Sequence, residues 1–441
     1  MVELEANYQQ NRSIKRRGKI RYALVGLLTG FAFVFLGVYY GYASDERLPS
    51  FHLEKIAGND SIGESIRLVG SYNGRKGSRG MTVDVQGTTY PRYYNTFGRL
   101  FYFSFFKYYD AETSSLIKNY RNYMRGKAQG SVYQTDGLLV YTQLFWNEER
   151  AQLRLSILNK ESKKVTDYKL DAGEWEPKIY ITMADQQVEG ERIHVLLERV
   201  SASRSSAQNF PKFTDYIMSL RTGELLEARE IKLPVSSDYR LSSYTDRGSR
   251  AESRHSAFMA VKEAGSQSSS LNNDQSPQAS STPPPDILDR KAFSYNYENG
   301  EVSLLILHEP DNGDESNYFV DGDTLYIVRT VKTTSVWGGE GFDITGINLA
   351  SGARTSAYTI LASDLKGDEL MEPRMRNGIF YFLMPGARAT GSIGRVYTKV
   401  AAVEASSGKT LYEGQVVYDG PEGESDAELR QTVLINMELG S

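Results

Sequence analysis

The residues best suited to chemistry in this chain are carboxylates in one short acidic segment. Asp311, Asp314 and Glu315 lie in the string EPDNGDESNYFVDGD, between two apolar runs. Carboxylate oxygens are ligands that Ca²⁺ prefers. Their spacing matches no calcium-binding loop, so the sequence marks these three residues only as weak calcium candidates and predicts no other metal site.

Side chains that usually perform catalysis are absent or poorly spaced. The chain has no cysteine, which excludes disulfides, thiolate zinc sites, iron–sulfur clusters and cysteine nucleophiles. No G-x-S-x-G string marks a serine nucleophile. The histidines stand far apart, and each is expected to be an isolated surface or core residue: His52, His194, His255 and His308. The sequence therefore predicts no catalytic residue and no cofactor.

Aromatic residues are concentrated between Tyr90 and Tyr109. Adjacent rings point to opposite faces of any strand, so both faces would be apolar. The segment is expected to be either a strand buried between neighbours, followed by a short packing helix over 111–125, or an exposed platform for a membrane surface, a glycan or a partner. The candidate contact residues are Tyr93, Tyr94, Phe105, Phe106, Tyr108 and Tyr109.

All of these residues follow an uncharged stretch of 21 residues, which runs from Tyr22 to Tyr42. At about 1.5 Å per residue, a helix of this length spans roughly 31 Å, the thickness of a bilayer core. Six Lys or Arg residues precede it within residues 12–21, which predicts a cytoplasmic N-terminus. We expect a basic cytoplasmic tail (1–21), a transmembrane signal-anchor helix (22–43) and a juxtamembrane linker (44–65).

A cleaved signal peptide is the alternative to this anchor. Gly41 and Ala43 are small residues that a signal peptidase accepts, but a cleavable signal has an apolar core of only about 7 to 15 residues. The sequence therefore favours a single-pass protein of the cell membrane whose C-terminal domain is extracytoplasmic.

Four glycines lie on one face of the predicted anchor helix. Gly26, Gly30, Gly37 and Gly41 are separated by four, seven and four residues. Small residues at this spacing let two helices approach closely in a membrane, although glycine is also common in transmembrane helices generally. We expect helix pairing through this face, either in a homodimer or with a polytopic membrane protein.

Composition indicates a strand-rich exterior. The formal net charge is −4, so nucleic acid is not an expected partner. The chain contains 30 tyrosines and 39 glycines; aromatic residues pack well on pleated surfaces, and glycine supplies positive φ in turns.

A repeat of apolar strands and polar turns begins at Ser131. Its turns recur at Ser162, Gly223, Gly300, Gly352 and Gly408, at intervals of 61, 77, 52 and 56 residues. The longest interval contains a Ser, Gln and Pro-rich segment, 263–289, which is expected to be a disordered insertion. Removing about 25 residues of it restores the common period. The pattern then gives five units between Ser131 and Asp419.

Units of this size with three or four antiparallel strands are typical of β-propeller blades. Further strand candidates lie over 66–106, and a strand over Thr432–Leu439 is expected to close a ring by pairing with an N-terminal strand. We predict an all-β fold in which residues 66–441 form a six- or seven-bladed propeller. A stacked β-sandwich or an open β-array is the alternative.

Three of the turns resemble those of pyrroloquinoline-quinone-type propeller repeats: RTGELLEAR (221–229), ASGARTSAY (350–358) and ASSGKTLYE (405–413). The resemblance covers about ten residues in each unit. It implies a glycine at the strand turn and a large side chain docked against the neighbouring blade, near Leu226, Tyr358 and Tyr412. The vicinal cysteine pair of the quinoprotein dehydrogenases is absent, so the resemblance implies the repeat geometry without the cofactor.

These features favour a membrane-anchored binding, sensor or scaffold protein that contacts another envelope protein or ligand. The alternative is a cell-envelope enzyme that acts on a glycan or cell-wall substrate from the propeller funnel. Transport is a third reading, and it would require a polytopic partner because one helix cannot form a pore.

Overall fold

The computed structural model describes residues 26–37, 48–74, 77–90, 111–127, 130–146, 150–174, 179–201, 211–236, 238–244, 253–263, 287–307, 316–335, 338–371, 373–385 and 397–439. The chain divides into two compact units. The first consists of residues 1–50 with 419–421, and the second consists of residues 51–418 with 422–441.

The first unit contains helix α1 over residues 26–37, within the predicted anchor span of 22–43. Its side chains are exposed, including Leu27, Phe31 and Phe35. Within the described ranges, no helix is both long enough and apolar enough to span a membrane.

The second unit is built mostly of strands. They are β1 (Phe51–Gly58), β2 (Ile66–Gly74), β3 (Gly77–Asp84), β4 (Gly87–Thr89), β5 (Ser131–Gln134), β6 (Leu138–Trp146), β7 (Arg150–Asn159), β8 (Val165–Glu174), β9 (Ile179–Glu189), β10 (Arg192–Ser201), β11 (Lys212–Ser219), β12 (Leu225–Ile231), β13 (Arg240–Tyr244) and β14 (His255–Glu263).

The C-terminal half continues the series. Its strands are β15 (Ile287–Asn296), β16 (Val302–Leu305), β17 (Ser316–Asp321), β18 (Thr324–Thr330), β19 (Thr333–Ser335), β20 (Gly338–Gly339), β21 (Gly341–Asn348), β22 (Arg354–Leu361), β23 (Leu370–Met371), β24 (Arg374–Arg376), β25 (Ile379–Pro385), β26 (Tyr397–Glu404), β27 (Thr410–Tyr418) and β28 (Thr432–Leu439). The short helices are α2 (Asp60–Glu64), α3 (Ala111–Asn119), α4 (Arg121–Met124) and α5 (Ser425–Leu429), with 3-10 turns at Ala362–Leu365 and Glu422–Glu424.

These strands form six antiparallel sheets of four or five strands in the described part of the chain, together with one small sheet of three. In chain order the strand neighbours are β28-β2-β3-β4 (sheet 1), β5-β6-β7-β8 (sheet 2), β9-β10-β11-β12 (sheet 3), β13-β14-β15-β16 (sheet 4), β17-β18-β21-β22 (sheet 5) and β24-β25-β26-β27-β1 (sheet 6). Strands β19, β20 and β23 make the small sheet. The architecture is therefore an all-β repeat of propeller-like sheets.

Apolar clusters join successive sheets face to face. One cluster packs sheet 2 against sheet 3, the next sheet 3 against sheet 4, and two more continue through sheets 5 and 6. The ring of Phe213 meets that of Phe258 at 4.8 Å between sheets 3 and 4, and Phe342 stacks on Phe382 at 5.7 Å between sheets 5 and 6. Each such buried ring contributes roughly 2 kcal/mol. The other face of sheet 2 is covered by α3 and α4, which confirms a short helical segment over 111–125.

The predicted turns occupy equivalent places in five sheets. Each joins the third strand of a sheet to the fourth, and Gly223, Gly300, Gly352 and Gly408 have φ between 69° and 75°. At the Ser162 turn the neighbouring Lys163 takes the positive φ, 56°. Left-handed backbone favours glycine, which explains why the repeat was visible in the sequence.

A side chain from the preceding sheet covers each glycine turn. Tyr358 covers Gly408 and donates its hydroxyl hydrogen bond to the Ala405 carbonyl at 2.7 Å, as the propeller-repeat resemblance implies. Leu226 does not dock, because it is 52% exposed at the edge of sheet 3; Arg229 of the same strand lies over the next turn instead.

Both ends of the second unit pair with strands from the opposite end of the sequence. Strand β28 pairs with β2, from Ile66 opposite Leu439 to Tyr72 opposite Thr432, so the predicted closing pair is confirmed. Strand β1 pairs with β27, from Phe51 opposite Tyr418 to Gly58 opposite Tyr412. The expected linker 44–65 thus contains strand β1, which buries Phe51 and Leu53, and helix α2, whose first turn is capped by the Asn59 side chain.

The expected disordered insertion, 263–289, also overlaps strands at its two ends. Glu263 ends β14 and residues 287–289 begin β15, because the backbone pairing of these strands extends to Glu263 opposite Ile287. Strands β14, β15 and β16 belong to one sheet, so the two halves of this unit are joined as predicted.

Candidate functional site

A group of buried polar side chains lies between sheets 3 and 4. Asp185 of β9 and Asp215 of β11 both stand opposite Leu196 of β10, so the two carboxylates share the face of sheet 3 that carries His194. Tyr295 and Tyr297, at the end of β15, approach this face from sheet 4. We call these five residues the polar seam.

The polar seam is closely hydrogen-bonded. His194 Nδ1 lies 2.9 Å from Asp215 Oδ2, and the Tyr295 hydroxyl donates to the same oxygen at 2.9 Å. The Tyr297 hydroxyl donates to Asp185 Oδ2. His194 is 1% exposed and Asp215 is fully buried, so these contacts replace the water that the charged and polar groups lose on folding.

Burial also fixes the protonation of the tyrosines. It raises the pKa of Tyr295 and raises that of Tyr297 well above its ordinary value, and the neighbouring aspartates act in the same direction. Both hydroxyls therefore keep their protons and act as donors to the carboxylates.

The His194–Asp215 pair has the spacing of a catalytic dyad, but no hydroxyl or thiol of the described residues forms a hydrogen bond with the second imidazole nitrogen. In a hydrolytic triad the second imidazole nitrogen faces a hydroxyl or thiol. Here Nε2 has no hydrogen-bond partner in the described part of the chain, and Glu189 Oε2 lies 3.5 Å from it. The described ranges also contain no cluster of His, Asp or Glu able to hold a metal. The contacts that the structure shows for the polar seam are those of a polar bond between two sheets.

A second histidine joins sheet 4 to sheet 5. His255 Nδ1 lies 2.8 Å from Asp323 Oδ1, and Ser253 Oγ donates to the Gly322 carbonyl at 2.8 Å. The expectation that each histidine is isolated is therefore wrong for His194 and His255. Their aspartate partners are distant in sequence, which hid both pairs.

One sequence signal could have located the polar seam. Strand β11 alternates apolar residues at Phe213 and Ile217 on its buried face, and Asp215 stands between them at a core position. A charged residue in a core position requires a partner, because an unpaired buried charge is costly.

A buried amine lies on the face of sheet 2 that α3 and α4 cover. Lys127, just after α4, is 8% exposed, and its Nζ donates to Ser156 Oγ at 2.7 Å and lies 3.3 Å from the centre of the Tyr123 ring. Among the described residues no carboxylate forms an ion pair with it. Burial lowers the pKa of Lys127 to about 8.

The strand connections differ in length at the two ends of the sheets. Connections from a first to a second strand, or from a third to a fourth, contain two to five residues, except the ten between Tyr244 and His255. Connections from a second to a third strand, or from one sheet to the next, reach 23 and 41 residues. We call the first set the tight-turn ends and the second set the long-connection ends.

Exposed large apolar side chains are concentrated at the long-connection ends. Three lie at the tight-turn ends (Val165, Leu225 and Leu226), and Ile56 lies within β1. In the described part of the second unit, those at or beside the long-connection ends come from four successive sheets: Phe145, Tyr180, Leu288, Ile306, Val331 and Leu361. Leu304 is exposed at mid-strand, opposite Phe293 of β15.

No protein family and no curated protein sequence matches the chain. Solved structures with some similarity include the acylaminoacyl peptidase of Pyrococcus horikoshii, which is 12% identical over 64% of this chain and 45% of that chain, with a TM-score of 0.29. Oligogalacturonate lyase of Vibrio parahaemolyticus is 10% identical over 82% of this chain and 84% of that chain, with a TM-score of 0.34.

The β-propeller domain of the Trilobed protease of Pyrococcus furiosus is 9% identical over 66% of this chain and 92% of that chain, with a TM-score of 0.23. This chain spans under half the length of the Pyrococcus horikoshii peptidase. Because all three TM-scores are below 0.5, these similarities assign neither fold nor function to this chain.

Most residues singled out from the sequence lie outside the described residues. These are Asp311, Asp314 and Glu315, Gly41, and the aromatic candidates Tyr93, Tyr94, Phe105, Phe106, Tyr108 and Tyr109. Gly26, Gly30 and Gly37 lie in α1, where an added Cβ would meet nothing within 4 Å. Helix pairing through this face stays a prediction.

Proposed function

We propose that the second unit is a six-bladed β-propeller, held outside a cell membrane by a helix over residues 22–43, that serves as a binding scaffold for another envelope protein. The six sheets follow one another in the chain, and apolar clusters join sheets 2 to 6 in series. A propeller must also close its ring. The pairing of β28 with β2 supports closure, since it completes sheet 1 with the last strand.

The observation that supports a binding function is a difference between the two ends of the sheets, both in the length of the connections and in the number of exposed apolar side chains. In a propeller all long-connection ends share one rim, because successive blades repeat the same strand directions. That rim holds the long connections and, among the described residues, six exposed large apolar side chains from four sheets. Loops on a rigid scaffold and exposed apolar groups are both typical of partner-binding surfaces.

The anchor is supported by the sequence of residues 22–42, which is uncharged and follows a basic tail. The open face at Gly26, Gly30 and Gly37 leaves room for a second helix. In this proposal the helix fixes the scaffold in the membrane and pairs with a second copy of the chain or with a polytopic protein.

A matched pair of substitutions tests the binding surface. Leu288 is 62% exposed at a long-connection end, at the start of β15, and Leu226 is 52% exposed at a tight-turn end. A charge at either position is expected to leave folding intact, because neither side chain is buried. We expect Leu288→Asp to weaken crosslinking of the full chain to its partner in intact membranes, whereas Leu226→Asp leaves the crosslinked species unchanged.

The anchor is tested separately by alkaline extraction of the same membranes, in which the chain should remain with the lipid. Equal crosslinking by the two variants would contradict the assignment of the binding surface. Release of the chain at alkaline pH would contradict the anchor.

A further inference from the structure

We infer that the polar seam encloses internal water, and that one water molecule bridges His194 to the neighbouring Gln187. Gln187 belongs to β9 and stands directly opposite His194 of β10, so the two side chains share the face of sheet 3 that carries the polar seam. This inference concerns sheets 3 and 4 alone, and it goes beyond the proposed binding function without depending on it.

Three buried acceptor atoms on this face have no hydrogen-bond partner in the described part of the chain. They are Gln187 Oε1, His194 Nε2 and Asp215 Oδ1. The three residues are 4%, 1% and 0% exposed, so bulk solvent does not reach them. Folded proteins seldom leave a buried polar atom without a hydrogen bond, and three in one place indicate a bound molecule that supplies the bonds.

The tautomer of His194 makes its second nitrogen an acceptor. A carboxylate cannot donate, so Nδ1, which lies 2.9 Å from Asp215 Oδ2, carries the ring hydrogen. In the neutral ring Nε2 then has a lone pair and no hydrogen. Glu189 Oε2, at 3.5 Å from Nε2, is itself an acceptor and cannot satisfy it.

Asp185 determines which end of the Gln187 amide faces it. Gln187 Nε2 lies 3.3 Å from each of the two Asp185 carboxylate oxygens. The reversed amide would place Oε1 against this carboxylate, and two acceptors repel each other. The Gln187 amide hydrogens are therefore directed at Asp185, and they are not the donors that His194 requires.

The partner that these acceptors require is a small molecule with two donor hydrogens. Opposite residues of antiparallel strands have Cβ atoms about 4.5–5.5 Å apart. Two hydrogen bonds of about 2.8 Å from one water molecule span a similar distance. Internal water typically bonds buried groups that otherwise have no partner, and a second molecule would serve Asp215 Oδ1. The ring of Tyr297, 5.3 Å from that of His194, covers the site from sheet 4.

Nuclear magnetic resonance of the histidine rings tests the inference on the natural chain. His194 is the only one of the four histidines that precedes a valine. Labelling histidine with carbon-13 and nitrogen-15, and valine with nitrogen-15, therefore identifies its signals. In the full chain, purified in detergent and sedimented, we expect a bonded hydrogen on Nδ1, none on Nε2, and transfer of magnetisation from water hydrogens to Nε2.

Two results on the natural chain would overturn the inference. A bonded hydrogen on Nε2 would make this nitrogen a donor to Glu189, and it would then require no water. An Nε2 without a hydrogen that receives no magnetisation from water would show that the site is dry.

A matched pair of variants tests the bridge. Gln187→Leu removes one of the two acceptors, and transfer from water to His194 Nε2 should fall about twofold or more, because a buried water needs about two to four polar partners. Gln415→Leu, at a half-buried position of β27 in sheet 6, is the control and should leave the transfer unchanged. Equal transfer in the two variants would overturn the bridge to Gln187.

Salt distinguishes water from a monovalent cation, which oxygen acceptors can also bind. We expect the midpoint of thermal unfolding of the full chain to be equal in sodium, potassium and choline chloride at the same ionic strength. A higher midpoint in sodium or potassium chloride that Gln187→Leu abolishes would overturn water as the bound molecule and assign a cation in its place.

Discussion

At the scale of single residues, the polar seam hydrogen-bonds buried polar groups across two sheets; the same groups would be unfavourable if they were unpaired. Asp185 and Asp215 would destabilise the core if they were unpaired. Tyr297 donates to the first of them, and Tyr295 and His194 contact the second. The chain thereby gains directional contacts at a surface that apolar packing alone would leave free to slip.

Removing Asp215 is expected to destabilise the protein strongly. In Asp215→Ala, His194 Nδ1 and the Tyr295 hydroxyl are both left without this acceptor in a site without water access. We expect the free energy of unfolding in urea to fall by about 3 kcal/mol. The control is Asp167→Ala, which breaks an exposed pair with Arg154 at 3.8 Å and should cost under about 0.5 kcal/mol. A decrease below about 1 kcal/mol for Asp215→Ala would show that the seam is not a structural bond.

Lys127 predicts how stability changes with pH. Burial lowers its pKa to about 8 in the folded protein, whereas an unfolded chain has the ordinary value of 10.5. Between these values the unfolded chain binds the proton that the folded protein has released, so the free energy of unfolding should rise as pH increases. The raised pKa of buried Tyr123 acts in the opposite direction above pH 10, which sets the upper limit of the window.

Lys127→Met should remove most of this rise. The comparison is urea unfolding at several values from about pH 7.5 to about pH 9.5. Lys118→Met, at an exposed position of α3, serves as the control and should retain the slope of the natural chain. An identical pH slope in all three proteins would mean that Lys127 keeps its proton throughout.

At the scale of elements, the glycine turns link each sheet to the one before it. Gly223 has φ of 71°, and a Cβ at this position would lie 1.9 Å from Tyr168 Cδ1 of sheet 2. Glycine therefore meets two demands at once, a left-handed backbone and close approach of a neighbouring ring. Gly352 has nearly the same φ, 69°, but its Cβ would meet only Leu305 Cδ2 at 3.9 Å.

A comparison of Gly223 with Gly352 therefore distinguishes the cost of a left-handed backbone from the cost of a clash with a neighbouring side chain. Gly352→Ala should cost about 1 kcal/mol of unfolding free energy, the conformational cost alone. Gly223→Ala should cost about 3 kcal/mol, because the ring of Tyr168 must also move. The double variant, with Gly223→Ala and Tyr168→Ala together, should lose less unfolding free energy than the sum of the losses in the two single variants. Equal destabilisation by Gly223→Ala and Gly352→Ala in thermal or urea unfolding would contradict the packing role.

The same turns explain which elements could be predicted from sequence. Positive φ selects glycine locally, so Gly223, Gly300, Gly352 and Gly408 mark their turns without knowledge of the rest of the fold. Strand β1 ends in a glycine with positive φ, Gly58 at 94°, but the strand itself is hard to recognise: FHLEKIAG buries only Phe51 and Leu53, and its partner β27 lies more than 350 residues away. The His194–Asp215 and His255–Asp323 pairs were missed for the same reason, since cross-strand and cross-sheet contacts determine them.

At the scale of the whole second unit, two pairings bring its ends together. Strand β1 completes the edge of sheet 6, and β28 completes sheet 1. Both pairings join residues that are far apart in sequence, so each requires that most of the chain be ordered first. We expect this closure to be the last step of folding and the first pairing to break on unfolding.

Gly70 allows the closing strand to be tested by a single change. An added Cβ at Gly70 would lie 2.0 Å from the Val433 carbonyl oxygen and 2.7 Å from Leu434 Cα, and backbone atoms cannot turn aside as a side chain can. Gly70→Ala should therefore push β28 away from β2 and lower the unfolding free energy by about 2 kcal/mol. In the control Gly137→Ala the added Cβ meets nothing within 4 Å.

Hydrogen exchange distinguishes opening of the closing pair from general destabilisation. In Gly70→Ala the amides of β2 and β28 should exchange faster by a larger factor than those of β14 in sheet 4, because opening begins where the sequence ends meet. Uniform acceleration across all sheets would mean that the six sheets open as one unit. Selective acceleration would mean that opening begins at sheet 1, where β28 pairs with β2.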